Sequence, residues 1–198
     1  MRIGIFGGTF DPIHLGHLIV AEQAREQASL DEVWFVPAAR PPHKLDQSIS
    51  PFDRRAEMIS LAITGQPQFR LERIEKDRPG PSFTVDTLSE LQTAHPEHTF
   101  ALIVGADCLP DLKNWREPQR ILELAELVVS ARPGWPMMER EELLKSVALT
   151  TLRMSRVDVP QVEIASREIR QRTAEGRTIR YLTTRAVEEY IRERKLYL

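Results

Sequence analysis

Arg2-Ile3-Gly4-Ile5-Phe6-Gly7-Gly8-Thr9-Phe10-Asp11-Pro12-Ile13-His14-Leu15-Gly16-His17 is the stretch that decides the architecture. A short apolar run, Arg2 to Phe6, is broken by a glycine pair, and the spacing then turns helical from Leu15 to about Ala28. Leu15, Leu18, Ile19, Ala21 and Ala24 can share one face of that helix. Val33 to Val36, bounded by Pro37, is the next β-rich run, so the two runs and the helix between them have the length of a βαβ unit. Such a crossover makes the strands parallel.

The alternation continues along the chain. Helices are expected at about Phe52 to Ile63, Phe83 to Thr93 and Pro118 to Leu124, and strands at Phe69 to Ile74, Thr99 to Val104 and Leu127 to Ala131. The last third reads as mainly helical, with helices near Glu139 to Val147, Ser166 to Ala174 and Thr183 to Arg194. The expected fold is therefore α/β: a Rossmann-like, doubly wound parallel sheet with helices on both faces and a helical C-terminal portion, one domain over 1–198. In such sheets ligands bind beyond the carboxyl ends of the strands. Gly7 to His17, Pro37 to Lys44 and Gly105-Ala106-Asp107 occupy those positions.

Composition narrows the class. At 198 residues the chain can bury a sizeable core, and its one cysteine, Cys108, excludes an internal disulfide. With 27 basic against 29 acidic residues there is no global attraction to nucleic acid or an anionic membrane. The longest apolar stretch, Phe100 to Ala106, falls far short of the ~20 residues that span a bilayer. The start of the chain reads directly into a strand without a signal-peptide core, so the expected location is the cytoplasm.

Glycines after the first strand allow close backbone approach, and the following helix offers N–H groups and a partial positive charge to an anion. His14 and His17, three apart, would project from neighbouring positions on a helix and could reach one phosphate chain, with Gly16 leaving space between them. The dinucleotide fingerprint and the Walker loop are both absent. No cysteine pair or third ligand lies at zinc spacing, so no protein-held metal is expected.

Gly7 to His17 matches the pattern G-G-[ST]-F-[DN]-P-x-H-x-G-H and resembles the nucleotidyltransferases that include the adenylyltransferases making NAD and coenzyme A. Pro41-Pro42-His43-Lys44, Gly80 to Leu88, Gly105-Ala106-Asp107 and Ile179-Arg180-Tyr181-Leu182 extend the resemblance, over nearly the full length, to the bacterial nicotinate-nucleotide adenylyltransferases. The resemblance implies ATP and nicotinate mononucleotide as substrates, Mg²⁺ carried on the ATP phosphates, and in-line attack of a mononucleotide phosphate oxygen on the α-phosphorus. It also implies His14, His17 and Arg170 as the charge-stabilising residues. ATP would be held by Gly7, Gly8, Thr9, Phe10, Gly16, Lys44, Gly105, Asp107, Ile164 and Ser166, and the mononucleotide by Thr84, Trp115 and Lys44. Asp107 would bind a ribose hydroxyl, Thr84 the nicotinate carboxylate, and Trp115 would stack on the pyridine ring.

The stretch Ser82 to Thr87 reads as a helix start capped by Ser82 or Thr84, whose positive end favours an acid over an amide. Near the C-terminus, Ile164-Ala165-Ser166-Arg167-Glu168-Ile169-Arg170 lacks two hydroxyls of the resembled family's pattern. Ser166 is expected to cap the next helix, with Arg170 on the same face and Arg167 either contacting phosphate or pointing to water. Two other readings remain: phosphopantetheine adenylyltransferase, and a nucleotide-responsive or nucleic-acid-binding protein without turnover. The latter draws on a tail, Arg167 to Lys195, with nine basic and five acidic residues, although the interleaved signs suit solvated helix faces and no nucleic-acid partner is expected. Oligomeric state is not legible in the sequence.

Overall fold

The computed structural model describes residues 1–41, 48–131 and 138–198; Lys44, with Pro42 and His43, lies outside the described residues. Six parallel strands form one sheet: β1 (Arg2–Gly8), β2 (Glu32–Pro37), β3 (Phe69–Leu71), β4 (Thr99–Gly105), β5 (Ala125–Ser130) and β6 (Met154–Val157), in the order β3-β2-β1-β4-β5-β6. The winding reverses between β1 and β4, whose register pairs Ile3 with Phe100 and Ile5 with Leu102. The expected α/β sheet is therefore present. β6 is a strand that the sequence reading assigned to no element, and β3 is shorter than expected.

Alternation along the central strands produces two cores. Ile3, Ile5, Trp34, Val36, Leu102 and Val129 face one side, against α3 (Thr84–Ala94), α4 (Pro118–Leu124), α5 (Arg140–Ser146) and a 3₁₀ segment, Ala106–Asn114. Val33, Phe35, Ala101, Ile103 and Val128 face the other, against α1 (Leu15–Gln27), α2 (Phe52–Ile63), α6 (Ser166–Ala174) and α7 (Arg185–Glu193). Each fully buried large aliphatic side chain contributes about 1.5–3 kcal/mol. Gly4 is required by the packing, since a Cβ there would stand 2.7 Å from Leu30 Cδ1 and 2.9 Å from Ile103 Cδ1. Among the described residues no helix is long and apolar enough to cross a membrane.

Candidate active site

The loop from Thr9 to His14 joins β1 to α1, and four of its carbonyls accept from side chains of three distant segments: α2, α6 and the stretch before α7. Thr9 O accepts from Arg55 Nη1 (2.9 Å), Asp11 O from Arg170 Nη1 (2.7 Å), Pro12 O from Ser166 Oγ (2.9 Å) and Ile13 O from Thr183 Oγ1 (2.9 Å). Leu15 N donates to Leu182 O at 3.0 Å. Occupying the electronegative atoms in this way suits a loop that must receive an anion.

The two histidines are closer than helical spacing alone would bring them. His14 is the residue before α1, with extended backbone, and its ring stacks on His17 at 3.6 Å between centroids. His14 N donates to His17 Nδ1 at 3.2 Å, which in the neutral ring puts the His17 proton on Nε2. Gly16 leaves room for His14: a Cβ at Gly16 would lie 3.1 Å from His14 Nδ1. Gly16→Ala is therefore expected to lower turnover on the order of tenfold by displacing the ring, while the melting temperature holds or rises, because alanine is favoured over glycine in a helix by about 1 kcal/mol. Steady-state kinetics and a thermal melt check the opposite signs.

A cavity of about 660 Å³ opens beside this loop at the carboxyl ends of β1, β2 and β4. It gathers Gly7, Gly8, Thr9, Thr84, Gly105 and Trp115 of the residues singled out in the sequence. Asp107 follows in the first turn of the 3₁₀ segment, half-buried. A second group, His14, Gly16, His17, Ser166 and Arg170, clusters about the Thr9–His14 loop; Ile164 Cβ would be 3.9 Å from a Cβ at Gly16. Gly7 has open space where a Cβ would be, whereas a Cβ on Gly8 would meet the Phe10 ring at 2.9 Å.

Several local expectations change. Phe10 is 2% exposed, and its ring packs edge-on against His17 at 4.9 Å, so its side chain braces an imidazole rather than facing a ligand. Neither Ser82 nor Thr84 caps α3. Phe83 precedes that helix, Thr84 is its first residue, and Ser82 Oγ instead accepts from Arg40 N at 3.2 Å. Likewise Ser166 is the first residue of α6, not its cap, and its hydroxyl is committed to Pro12 O. Arg167 is exposed. Cys108 is half-buried and lines the cavity.

The sequence reading passed over Glu75, Asp111, Asn114 and Arg116, all of which line the cavity. The last three follow β4 within a dozen residues, so strand-end position was an available signal. Arg116 lies over the Phe83 ring (5.0 Å) and bonds Asp86 Oδ2 at 3.3 Å. The reading also passed over Arg55 and Tyr197. Tyr197 donates its hydroxyl to Asp11 Oδ1 (2.7 Å), and Ser50 N donates to Asp11 Oδ2 (3.1 Å). Burial, and next the Asp11 carboxylate, push the Tyr197 phenol far above its ordinary range.

Among the described residues one group brings three potential metal ligands within 4.8 Å of one another, His95, Glu97 and His98, in the turn before β4 at the end of the sheet away from the cavity. Its imidazoles are stacked with planes 5° apart and centroids 5.6 Å apart.

Comparison with known proteins agrees with the geometry. A cytidylyltransferase-like family model matches residues 5–172. The chain is 49% identical over its full length, and over the full length of the relative, to a Thermus thermophilus protein named probable nicotinate-nucleotide adenylyltransferase. It is 46% identical to a protein of the same name from Thermomicrobium roseum, covering 99% of this chain and 91% of that one. The Plasmodium falciparum nicotinic acid mononucleotide adenylyltransferase complexed with NaAD shares the fold, with a TM-score of 0.80 at 22% identity, covering 99% of this chain and 97% of that one. The chain belongs to the cytidylyltransferase-like family and, within it, to the nicotinate-nucleotide adenylyltransferases.

Proposed function

We propose that the chain transfers the adenylyl group of Mg²⁺-bound ATP to nicotinate mononucleotide, releasing pyrophosphate and forming nicotinate adenine dinucleotide, with 1–198 acting as one nucleotidyltransferase domain in the cytoplasm. The observation that carries this reading is the adjacency of two features. A cavity of mononucleotide size, walled by Thr84 and Trp115, meets through Gly7 to Thr9 a loop bearing two stacked imidazoles. The reaction joins two mutually repelling anions, so the protein must align them and disperse charge as the α-phosphorus is attacked in line. No protein nucleophile is needed.

In this reading His17 donates from Nε2 to a phosphate oxygen of ATP, and His14 holds His17 in that tautomer through its backbone N–H. Arg170, tied to Asp11 O through Nη1, adds positive charge beside the same loop, and Ser166 and Ile164 wall the ATP side. Gly105 and Asp107 face the adenosine, with the Asp107 carboxylate suited to accept from ribose hydroxyls. Thr84 opens α3, whose first-turn N–H groups and dipole suit the nicotinate carboxylate, and the Trp115 face suits the flat pyridine ring. Lys44 completes the phosphate contacts.

Purified protein with ATP and Mg²⁺ is expected to adenylylate nicotinate mononucleotide at least tenfold faster than nicotinamide mononucleotide or phosphopantetheine at equal concentrations. Equal or faster turnover of either competitor would overturn the acceptor assignment. Salt-sensitive binding of RNA or DNA without transfer would favour the non-catalytic reading.

A further inference from the structure

Glu75 is a carboxylate in the wall of a cavity that, on the reading above, receives an anion. It is 6% exposed and its oxygens are both engaged: Oε2 accepts from Ala39 N at 3.2 Å, and Oε1 accepts from Thr87 Oγ1 at 2.5 Å. Behind it stands Arg78. Its Nη1 donates to Thr87 Oγ1 at 2.8 Å and lies 3.7 Å from Glu75 Oε1, while Nε and Nη2 fork onto Glu90 at 3.1 and 2.8 Å. The Arg78 side chain is 9% exposed, so this cation is shielded from water and from salt.

The chain of contacts joins three segments that wall the cavity: the exit of β2 through Ala39, the 75–78 turn, and α3 through Thr87, one turn beyond Thr84. A neutral side chain could make some of these bonds, yet a carboxylate here repels an incoming carboxylate unless its charge is cancelled. We propose that Arg78 is a specificity-determining positioning residue: by offsetting the buried Glu75 charge from behind, while the Glu90 carboxylate that shares it is 46% exposed and screened by water, it lets a carboxylate brace the cavity wall without turning the cavity against an acidic acceptor. This inference rests on the assignment of the cavity to nicotinate mononucleotide. Arg78 acts through Glu75.

The measured quantity is the preference for nicotinate over nicotinamide mononucleotide, as a ratio of kcat/KM values, with Ki of the amide as competitor giving the ratio where amide turnover is slow. Arg78→Gln leaves Glu75 uncompensated and is expected to lower the ratio on the order of tenfold, mainly through KM of the acid. Glu75→Gln removes the negative charge and is expected to hold or raise it. The double variant returns the cluster, Glu90 included, to the net charge it has in the unsubstituted protein and is expected to return the ratio to within about threefold of that protein. A purely structural role would weaken both acceptors alike and make the double variant the worst of the three, and that pattern overturns the inference.

If Arg78→Gln does not fold, Arg78→Lys and Glu75→Gln decide the matter: each must hold or raise the preference, and a fall in either is contrary. An unsubstituted protein with no preference for the acid removes the assignment of the cavity itself. A clear preference with the wrong sign pattern in the variants removes only the role of Arg78.

Discussion

His17→Ala is expected to lower kcat by about 10²–10³, the loss that follows removal of one preorganised donor from a site of developing negative charge. Its stability should fall by only about 1 kcal/mol, because His17 Nδ1 also accepts from His14 N at the start of α1 and so serves as a helix-end partner. The two losses have separate chemical origins and can be separated by a second variant. Asn at position 17 can still offer a short side-chain oxygen to His14 N, but it has no imidazole Nε2. Stability is therefore expected to recover in His17→Asn while turnover stays low. Single-turnover kinetics with saturating ATP, beside urea melts of both variants, test this; turnover within threefold of the unsubstituted protein in either would remove His17 from the chemistry.

The sequence carried the sheet well because its central strands are buried on both faces and appear as continuous apolar runs, such as Phe100 to Val104. β6 is an edge strand, and Met154, Ser155 and Arg156 are only partly buried or exposed, so no apolar run marked it. The helix-start serines misled for a related reason. A hydroxyl before an apolar run signals a cap only in isolation, whereas Ser82 and Ser166 are spent on Arg40 N and Pro12 O, partners remote in sequence. Thr184, by contrast, does cap its helix, accepting from Val187 N.

Residues of the candidate site divide along the same line. The glycines and histidines were legible because their chemistry is local: a turn, a helix start, a short spacing. Glu75, Arg78 and Arg116 were not, since each gains its meaning from a neighbour in another segment and reads alone as an ordinary surface charge. Phe10 was legible as part of the motif but not in its task, which depends on where the His17 ring comes to rest.

Arg55→Met is expected to destabilise the fold by about 3–5 kcal/mol, the range seen when one member of a buried charged network is removed. In Phe52-Asp53-Arg54-Arg55, Arg55 looks like one more polar residue of an amphipathic helix, yet it is 1% exposed. Its Nε donates to Ser50 O and its Nη1 to Thr9 O, both at 2.9 Å. Burial pulls the guanidinium below its ordinary value, and the Asp11 carboxylate opposes that pull. Without Arg55, the part-buried Ser50 and Thr9 carbonyls lose a donor and Asp11 loses a neighbouring positive charge. The fault would sit at Thr9, where the Thr9–His14 loop leaves β1, so on the proposed function the folded fraction of the variant should also turn over slowly. Arg55→Lys, which keeps the charge but not the two-direction fork, is expected to recover part of the stability and little of the rate. Urea melts and kcat measured on the same preparations check both statements; an unfolding free energy for Arg55→Met within about 1 kcal/mol of the unsubstituted protein would show that the network is not what holds the loop.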